Sequence, residues 1–348
     1  MSLRVYLDHN ATMPLRPEAR AAMIDAMDIV GNPSSVHSEG RAAKALLERS
    51  RIKISELLGA QEADIVFTSG ATEAADLALG GRDFVGAPIE HDAVGACINA
   101  TLAVGPDGGV AVDDPNHTTL QLANSETGVI QKLPEGLAVV DFTQAVGKIP
   151  VAFGWSGAKM GLISAHKFGG PKGVGAVLLR RGLDLPARIK GGGQEMGRRS
   201  GTENIIGIVG LAAALKAADE ELNSGIWDEI AEFRNILEIG LHSAANKTIF
   251  VGKGAHRLPN TSCILTPGWK GETQVMQMDL AGFAISAGSA CSSGKVRASR
   301  VLQEMGYDDI AASSAIRVSL GPRTTRDEID RFADAWLKQH EKFRARAA

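Results

Sequence analysis

Lys167 closes the stretch Ser164-Ala165-His166-Lys167, behind the apolar run Gly161 to Ser164 and ahead of the turn Gly169-Gly170-Pro171-Lys172-Gly173. Lysine is ordinarily a solvated surface charge. Between an apolar strand and a glycine-proline turn, its amine is placed to attack a carbonyl and form an imine, while Ser164 and His166 can donate to a phosphate. Asp141 directly follows the apolar run Ala138-Val139-Val140. A carboxylate buried at a strand exit needs a cationic partner. A protonated pyridine nitrogen would be one, and the pair would keep such a ring an electron sink. The plainer role for Asp141 is to cap the next turn.

Other residues stand in settings of the same kind. Ser69-Gly70-Ala71-Thr72 lies where the apolar strand Asp64 to Thr68 turns into a helix. A helix start offers unpaired N–H groups and a positive dipole end, which suits a phosphate, although a Ser/Thr capping turn reads the same way. Gly169 to Gly173 lacks the Gly-Lys-Ser/Thr ending of a nucleotide loop, and Pro171 removes a donor, so a tight turn is its role. His91, in Glu90-His91-Asp92-Ala93, could stack on an aromatic ring or be merely structural. Arg317 interrupts the apolar strand Ala315 to Leu320 and wants a carboxylate, from a substrate or from one of the chain's own acids. Cys97 and Cys263 sit in apolar runs. Cys291 instead lies in Gly288-Ser289-Ala290-Cys291-Ser292-Ser293-Gly294, a setting that suits a thiol meeting a substrate.

The elements that must position these groups can be read from periodicity. Helices are expected over Arg41 to Leu58, from Ala74 onward, and over Ile205 to Leu222, Asp228 to Ala244, Thr273 to Leu280, Arg297 to Met305 and Arg326 to Phe343. Strands are expected at Asp64 to Thr68, Ala138 to Val140, Gly161 to Ser164, Val174 to Arg180, Ser262 to Leu265, Phe283 to Ser286 and Ala315 to Leu320. Alternating strands and helices predict an α/β fold with a mostly parallel central sheet flanked by helices, followed by a smaller C-terminal α/β unit.

The chain has 348 residues, 44% hydrophobic and 22% charged, with a net charge of −3. That profile fits two globular units and gives no sign of a nucleic-acid partner. No apolar run nears the ~18 residues of a membrane span, and the N-terminus shows no signal or transit pattern, so a cytoplasmic location is expected. Three cysteines without close spacing make neither a disulfide framework nor a metal site.

The order of the motifs is more telling than any one of them. Tyr6 to Thr12, Gly31 to His37, Phe67 to Glu73, Asp141 to Lys148, Ser164 to Gly173, Gly191 to Glu195, Arg199 to Thr202 and Gly288 to Cys291 form one series. It resembles the cysteine desulfurases, within the aminotransferase class V branch of fold-type I pyridoxal-phosphate enzymes, over nearly the whole chain. The resemblance implies a large cofactor-binding domain at 14–250 and a small domain made of 1–13 and 251–348 that carries the Cys291 loop. It implies a homodimer with its sites at the subunit interface. Ala71, Thr72, Ser164 and His166 would hold the phosphate, joined by Thr202 of the second subunit. Asp141 would pair with the pyridine nitrogen and Gln144 with the ring hydroxyl. His91 would stack on the ring and act in proton transfer. Arg317 and Asn32 would clamp the carboxylate of L-cysteine. Cys291 would take its sulfur as a persulfide, leave alanine, and pass the sulfur to an iron–sulfur scaffold or sulfur-carrier protein.

Three departures from the family pattern stand out. Asn124-Ser125 replaces a usual pair of asparagines next to the cofactor, so either Ser125 keeps a hydrogen bond or Asn124 turns in. The stretches from His91 to Asn124 and Gly128 to Asp141 are short, which predicts a trimmed helix–strand region. The tail after Arg317 is also short. Two other readings stay open on sequence alone: a selenocysteine lyase or another class V lyase with the same cofactor set, and a non-catalytic assembly subunit that kept the fold.

Overall fold

The structure, a computed structural model, describes residues 4–288 and 298–347. In chain order its elements are β1 (Val5–Tyr6), α1 (Pro17–Met27), α2 (Ser38–Leu57), β2 (Ala63–Thr68), α3 (Ala71–Leu79), β3 (Val85–Gly86), α4 (Asp92–Gly95), β4 (Asn99–Ala100), β5 (Thr119–Gln121), β6 (Val139–Asp141), β7 (Met160–Ser164) and β8 (Gly175–Arg180). There follow α5 (Ile205–Asn223), α6 (Ile226–Ala244), β9 (Ile249–Phe250), β10 (Thr261–Leu265), α7 (Gly271–Leu280), β11 (Phe283–Ala284), β12 (Ser286–Ala287), α8 (Arg300–Glu304), α9 (Asp309–Ala312), β13 (Ala315–Ser319) and α10 (Arg326–Ala347).

The central sheet has the order β2-β8-β7-β6-β5. β5, β6 and β7 pair in parallel, while β8 runs against both β7 and β2. Four strands therefore point one way, as a mostly parallel sheet requires, and β8 is the reversed one. Its reversal follows from length: residues 165–174 make a tight return, too short for the crossover a parallel step needs. The short pair β3–β4 joins at the β5 edge through a bridge between Val85 and Thr118.

Both faces of this sheet are buried, which explains the unbroken apolar runs of β2, β7 and β8. Ile65, Phe67, Val140, Ile163, Ala176 and Leu178 face a core shared with α2 and α5. Val66, Val139, Leu162, Val177 and Leu179 face the opposite core, beneath α3. The alternation is the period of two that a pleated strand imposes. α2 begins at Ser38, ahead of the expected Arg41, because His37 Nδ1 accepts from the Gly40 N–H at 3.3 Å and caps the first turn.

The second sheet, β12-β13-β10-β9, is antiparallel. β1 pairs in parallel with β11, so the N-terminal segment joins the C-terminal part of the chain. The single strand expected at Phe283 to Ser286 is two: β11 lies on β1, and β12 lies on β13. The second core also takes Trp227, Ile230, Leu237 and Leu241 from α6. A boundary at residue 250 therefore falls behind an element already packed into the second core. Core packing changes hands at the α5–α6 turn, where Gly225 takes a left-handed φ of +81°.

Candidate active site

The four co-directional strands end on one side of the central sheet, and crevices outside carboxyl ends are where such sheets take ligands. Thr68 runs into Ser69 and Gly70, β5 ends at Gln121, β6 at Asp141 and β7 at Ser164. A cavity of about 450 Å³ lies there. Its walls include Gly70, Ala71, Thr72, His91, Ser125, Asp141, Gln144, Ser164, His166 and Lys167. A wider cleft of about 870 Å³, lined by Trp155, Trp227 and Arg234 among others, holds none of these residues.

Backbone close to backbone shapes the phosphate side of the cavity. Gly70 precedes α3 with φ +154°, and no side chain caps the helix start. A Cβ on Gly175 would come within 2.8 Å of the Gly70 Cα and 2.5 Å of the Ile163 carbonyl oxygen, so glycine there lets the turn lie on β8. The first N–H groups of α3 are thus left to a ligand. The Ser69 N–H is instead taken by Glu73 at 2.7 Å, and Glu73 is held by Arg199 at 2.8 Å.

Lys167 ends a short 3₁₀ turn, Ala165–Lys167. Its Nζ donates to the carbonyls of Asn10 at 2.7 Å and Ala11 at 3.0 Å. His166 lies 3.2 Å from the Thr12 hydroxyl through Nδ1. Burial, and then the charge of Lys167, pushes its imidazole down to about 4, so the ring is neutral near pH 7. Asp141 is buried, with Oδ1 accepting from the Thr143 N–H at 2.8 Å. It both caps the turn and lines the cavity. Close by, Glu90 accepts from the Gln121 N–H at 2.8 Å. Burial first, and the Asp141 charge as well, raise Glu90 well above the carboxylate range, toward its protonated form.

Gln144 is held at both ends. Its Nε2 donates to the Asn10 carbonyl at 3.0 Å, and its Oε1 accepts from Lys148 at 2.8 Å. Lys148 is fully buried, and burial together with the charge of Lys167 drives it well below the usual amine range. His91 is exposed at the rim, with Nδ1 accepting from the Ala93 N–H at 3.1 Å.

The Asn124-Ser125 pair divides its tasks. Asn124 does not line the cavity. Its Nδ2 donates to the Ile89 carbonyl, and its Oδ1 accepts from the N–H groups of Glu126 and Thr127. With those groups fixed inside the turn, it cannot rotate in. Ser125 lines the cavity and gives its carbonyl to Arg317 Nη1 at 3.0 Å. Arg317 is buried at the centre of the second sheet, where Asp8 pairs with its Nη2 at 2.8 Å. The chain's own acid therefore answers the charge of Arg317. Asn32 and Thr202 lie elsewhere, exposed: Asn32 Oδ1 accepts from the Ser34 N–H, and Thr202 follows a loop pinned by buried Glu195 to Arg51.

Cys291 lies outside the described residues. Cys97 and Cys263 are raised above the ordinary thiol range by burial, so neither is an activated thiol. No group of three His, Cys, Asp or Glu side chains among the described residues could hold a metal ion, and no helix among them is long and apolar enough to cross a membrane. Asp8, Asn10, Glu90 and Lys148 are the participants the sequence reading left without roles. All four lie within motifs quoted for other residues, and only contacts between distant segments reveal them.

The profile of the aminotransferase class-V family matches residues 5–93 and 112–332. A cysteine desulfurase from Cereibacter sphaeroides is 39% identical over 369 aligned positions, covering 95% of this chain and 94% of its own. The cysteine desulfurase IscS of Dictyoglomus turgidum is 33% identical and covers 99% of this chain and 96% of its own. Among solved structures, a NifS-like protein from Rickettsia africae superposes with a TM-score of 0.87 at 30% identity, covering 97% of this chain and 99% of its own. An alignment of 369 positions exceeds the 348 residues here, so the Cereibacter protein carries residues this chain lacks. The break at 94–111 places a difference around α4 and β4, which are a single turn and a two-residue strand.

Proposed function

The chain belongs to the aminotransferase class-V family, and from that premise we propose that it is a pyridoxal-phosphate-dependent cysteine desulfurase. One observation carries the reading: Lys167 and Asp141 open into the same cavity, with a helix start, Ser164 and His166 beside them. The donor set fits the cofactor. A carboxylate for a ring nitrogen, an amine for an aldehyde and neutral or N–H donors for a phosphate occupy one strand-end crevice.

When bound, pyridoxal phosphate supplies a carbonyl that an amine can bond and a ring that accepts the electron pair released at a substrate carbon. The rest falls to the chain. Lys167 would be the amine that bonds that carbonyl and, when free, a base for the proton at the substrate α-carbon. The N–H groups of Ala71 and Thr72, the Ser164 hydroxyl and neutral His166 would hold the phosphate, joined by Thr202 of a second subunit. Asp141 would face the pyridine nitrogen and favour its protonated form. Gln144, with one N–H on the Asn10 carbonyl and its oxygen on Lys148, would have its second N–H left for the ring hydroxyl. His91, at the rim, would cover the ring and act in proton transfer. Arg317 would receive the substrate carboxylate by exchanging it for Asp8. The Cys291 thiolate attacks the substrate sulfur: an S–S bond forms, the C–S bond breaks, its electron pair stays with the carbon skeleton, and protonation there gives alanine. Sulfur leaves as a Cys291 persulfide for an acceptor protein, an iron–sulfur scaffold or a sulfur carrier.

The homodimer reading is supported by apolar side chains left exposed on α1 and after it (Ile24, Met27, Val30), around α2 (Val36, Ile52) and on the loop leading to Thr202 (Met196). The test is direct. Purified protein with pyridoxal phosphate should show an imine absorbance band that Lys167→Ala abolishes, and should release alanine from L-cysteine in preference to selenocysteine and cystine. A chain that binds no cofactor in that cavity would refute the proposal.

A further inference from the structure

Asn10 is wholly buried, and every polar atom it has is hydrogen-bonded. Its N–H donates to the Ser319 hydroxyl at 3.0 Å. Its Nδ2 donates to the Thr261 hydroxyl at 2.8 Å and to the Ser125 carbonyl at 3.3 Å. Its Oδ1 accepts from Asn260 at 3.1 Å. Its carbonyl accepts from Lys167 Nζ at 2.7 Å and from Gln144 at 3.0 Å.

These partners sort by place. Ser319 is in β13, Thr261 in β10 and Asn260 just before it, all in the second sheet. Lys167 and Gln144 line the cavity at the first sheet. The N–H of Asn10 and the shorter bonds of its side chain thus hold the second sheet, its Nδ2 also reaches the Ser125 carbonyl at the cavity wall, and its carbonyl holds the amine and amide at the first sheet. An amide with all its groups fixed cannot rotate its carbonyl without breaking several bonds together.

We propose that Asn10 is a positioning residue: its side chain fixes the Asn10–Ala11 peptides whose carbonyls hold the Lys167 amine, and so couples the reach of that amine to the second sheet. The inference rests on the reading of Lys167 as the imine-forming lysine. A merely structural Asn10 would affect stability alone. A positioning Asn10 also sets how fast Lys167 meets an aldehyde.

The experiment uses the full chain, stripped of cofactor with hydroxylamine and refilled with pyridoxal phosphate. The rate of imine absorbance is followed, the product is trapped with borohydride, and the modified lysine is located by peptide mass. Thermal unfolding is recorded in parallel. Asn10→Ala is expected to refill roughly tenfold more slowly, and Thr261→Val, remote from Lys167, roughly threefold more slowly, the scale of one or two lost buried hydrogen bonds. Refilling of both variants at the wild-type rate, with wild-type label on Lys167, would overturn the inference. If Asn10→Ala does not fold, Thr261→Val and Ser319→Ala decide it on the same terms. Wild-type label on a different lysine would instead sink the proposed function.

Discussion

At the scale of residues, the site is governed by charges that burial suppresses. Lys148, His166 and Glu90 are all moved toward their neutral forms. Lys167 and Arg317 meet carbonyls, and Arg317 also meets Asp8. Replacing Arg317 with alanine should raise KM for L-cysteine about 10- to 100-fold, the worth of a charge-assisted pair, with a smaller effect on kcat. Steady-state kinetics with an unchanged KM would remove Arg317 from substrate binding. Glu126 offers a pH test. It hydrogen-bonds the Ser299 hydroxyl at 2.5 Å, and burial raises its carboxyl from 4.5 to about 7. A raised acid favours the folded state while protonated. Its contribution is complete below the unfolded value of 4.5 and is lost as pH rises through about 7. Because Glu126 keeps some solvent contact, the loss should be about 2 kcal/mol rather than the full linkage value. Glu126→Gln should therefore lose less stability than wild type between pH 5 and pH 8, and parallel melting curves would contradict this.

At the scale of elements, the strand ends matter most. Gly175 lets the turn at Gly70 sit against β8, so Gly175→Ala must push apart backbone atoms that have nowhere to go. We expect about 1–3 kcal/mol of destabilisation and at least about tenfold weaker pyridoxal-phosphate binding, since the α3 N–H groups move with the turn. Titration of the cofactor band together with a melt would check both, and unaltered binding would detach that turn from the phosphate. Elements of this kind were legible in the sequence where both faces are buried: β2, β7 and β8 read as apolar runs bounded by turn residues. β3, β4 and β5 were not: two residues carry no period, and Thr119-Leu120-Gln121 has one apolar residue where β6 follows the apolar run Ala138-Val139-Val140. The roles of Ser125 and Asn124 could not be told apart from adjacency alone, since a tight turn sends neighbours in opposite directions. Asn10 and Lys148 were hidden for a different reason. Their partners are remote in sequence, and only tertiary packing brings residue 10 to residues 261 and 167.

At the scale of the whole molecule, the N-terminal segment ties the two cores together. Asp8 and Asn10 reach β13 and β10, while Thr12 and the carbonyls of Asn10 and Ala11 reach the lysine turn. Exposed Ile24 and Val30 stand on a face that a second copy would cover under the proposed dimer. Ile24→Asp with Val30→Asp should shift the sedimenting species toward monomer and weaken cofactor retention, because Thr202 would no longer reach a neighbouring site. A dimer that survives both changes would move the interface elsewhere. The central claim, desulfuration through Lys167 and Cys291, is tested most directly by a single turnover without reductant. Loaded protein mixed with excess L-cysteine should release about one alanine per subunit in a burst, with added sulfur on the Cys291 peptide, and Lys167→Ala and Cys291→Ala should each abolish the burst. An undiminished burst in Cys291→Ala, or alanine from Lys167→Ala, would contradict it.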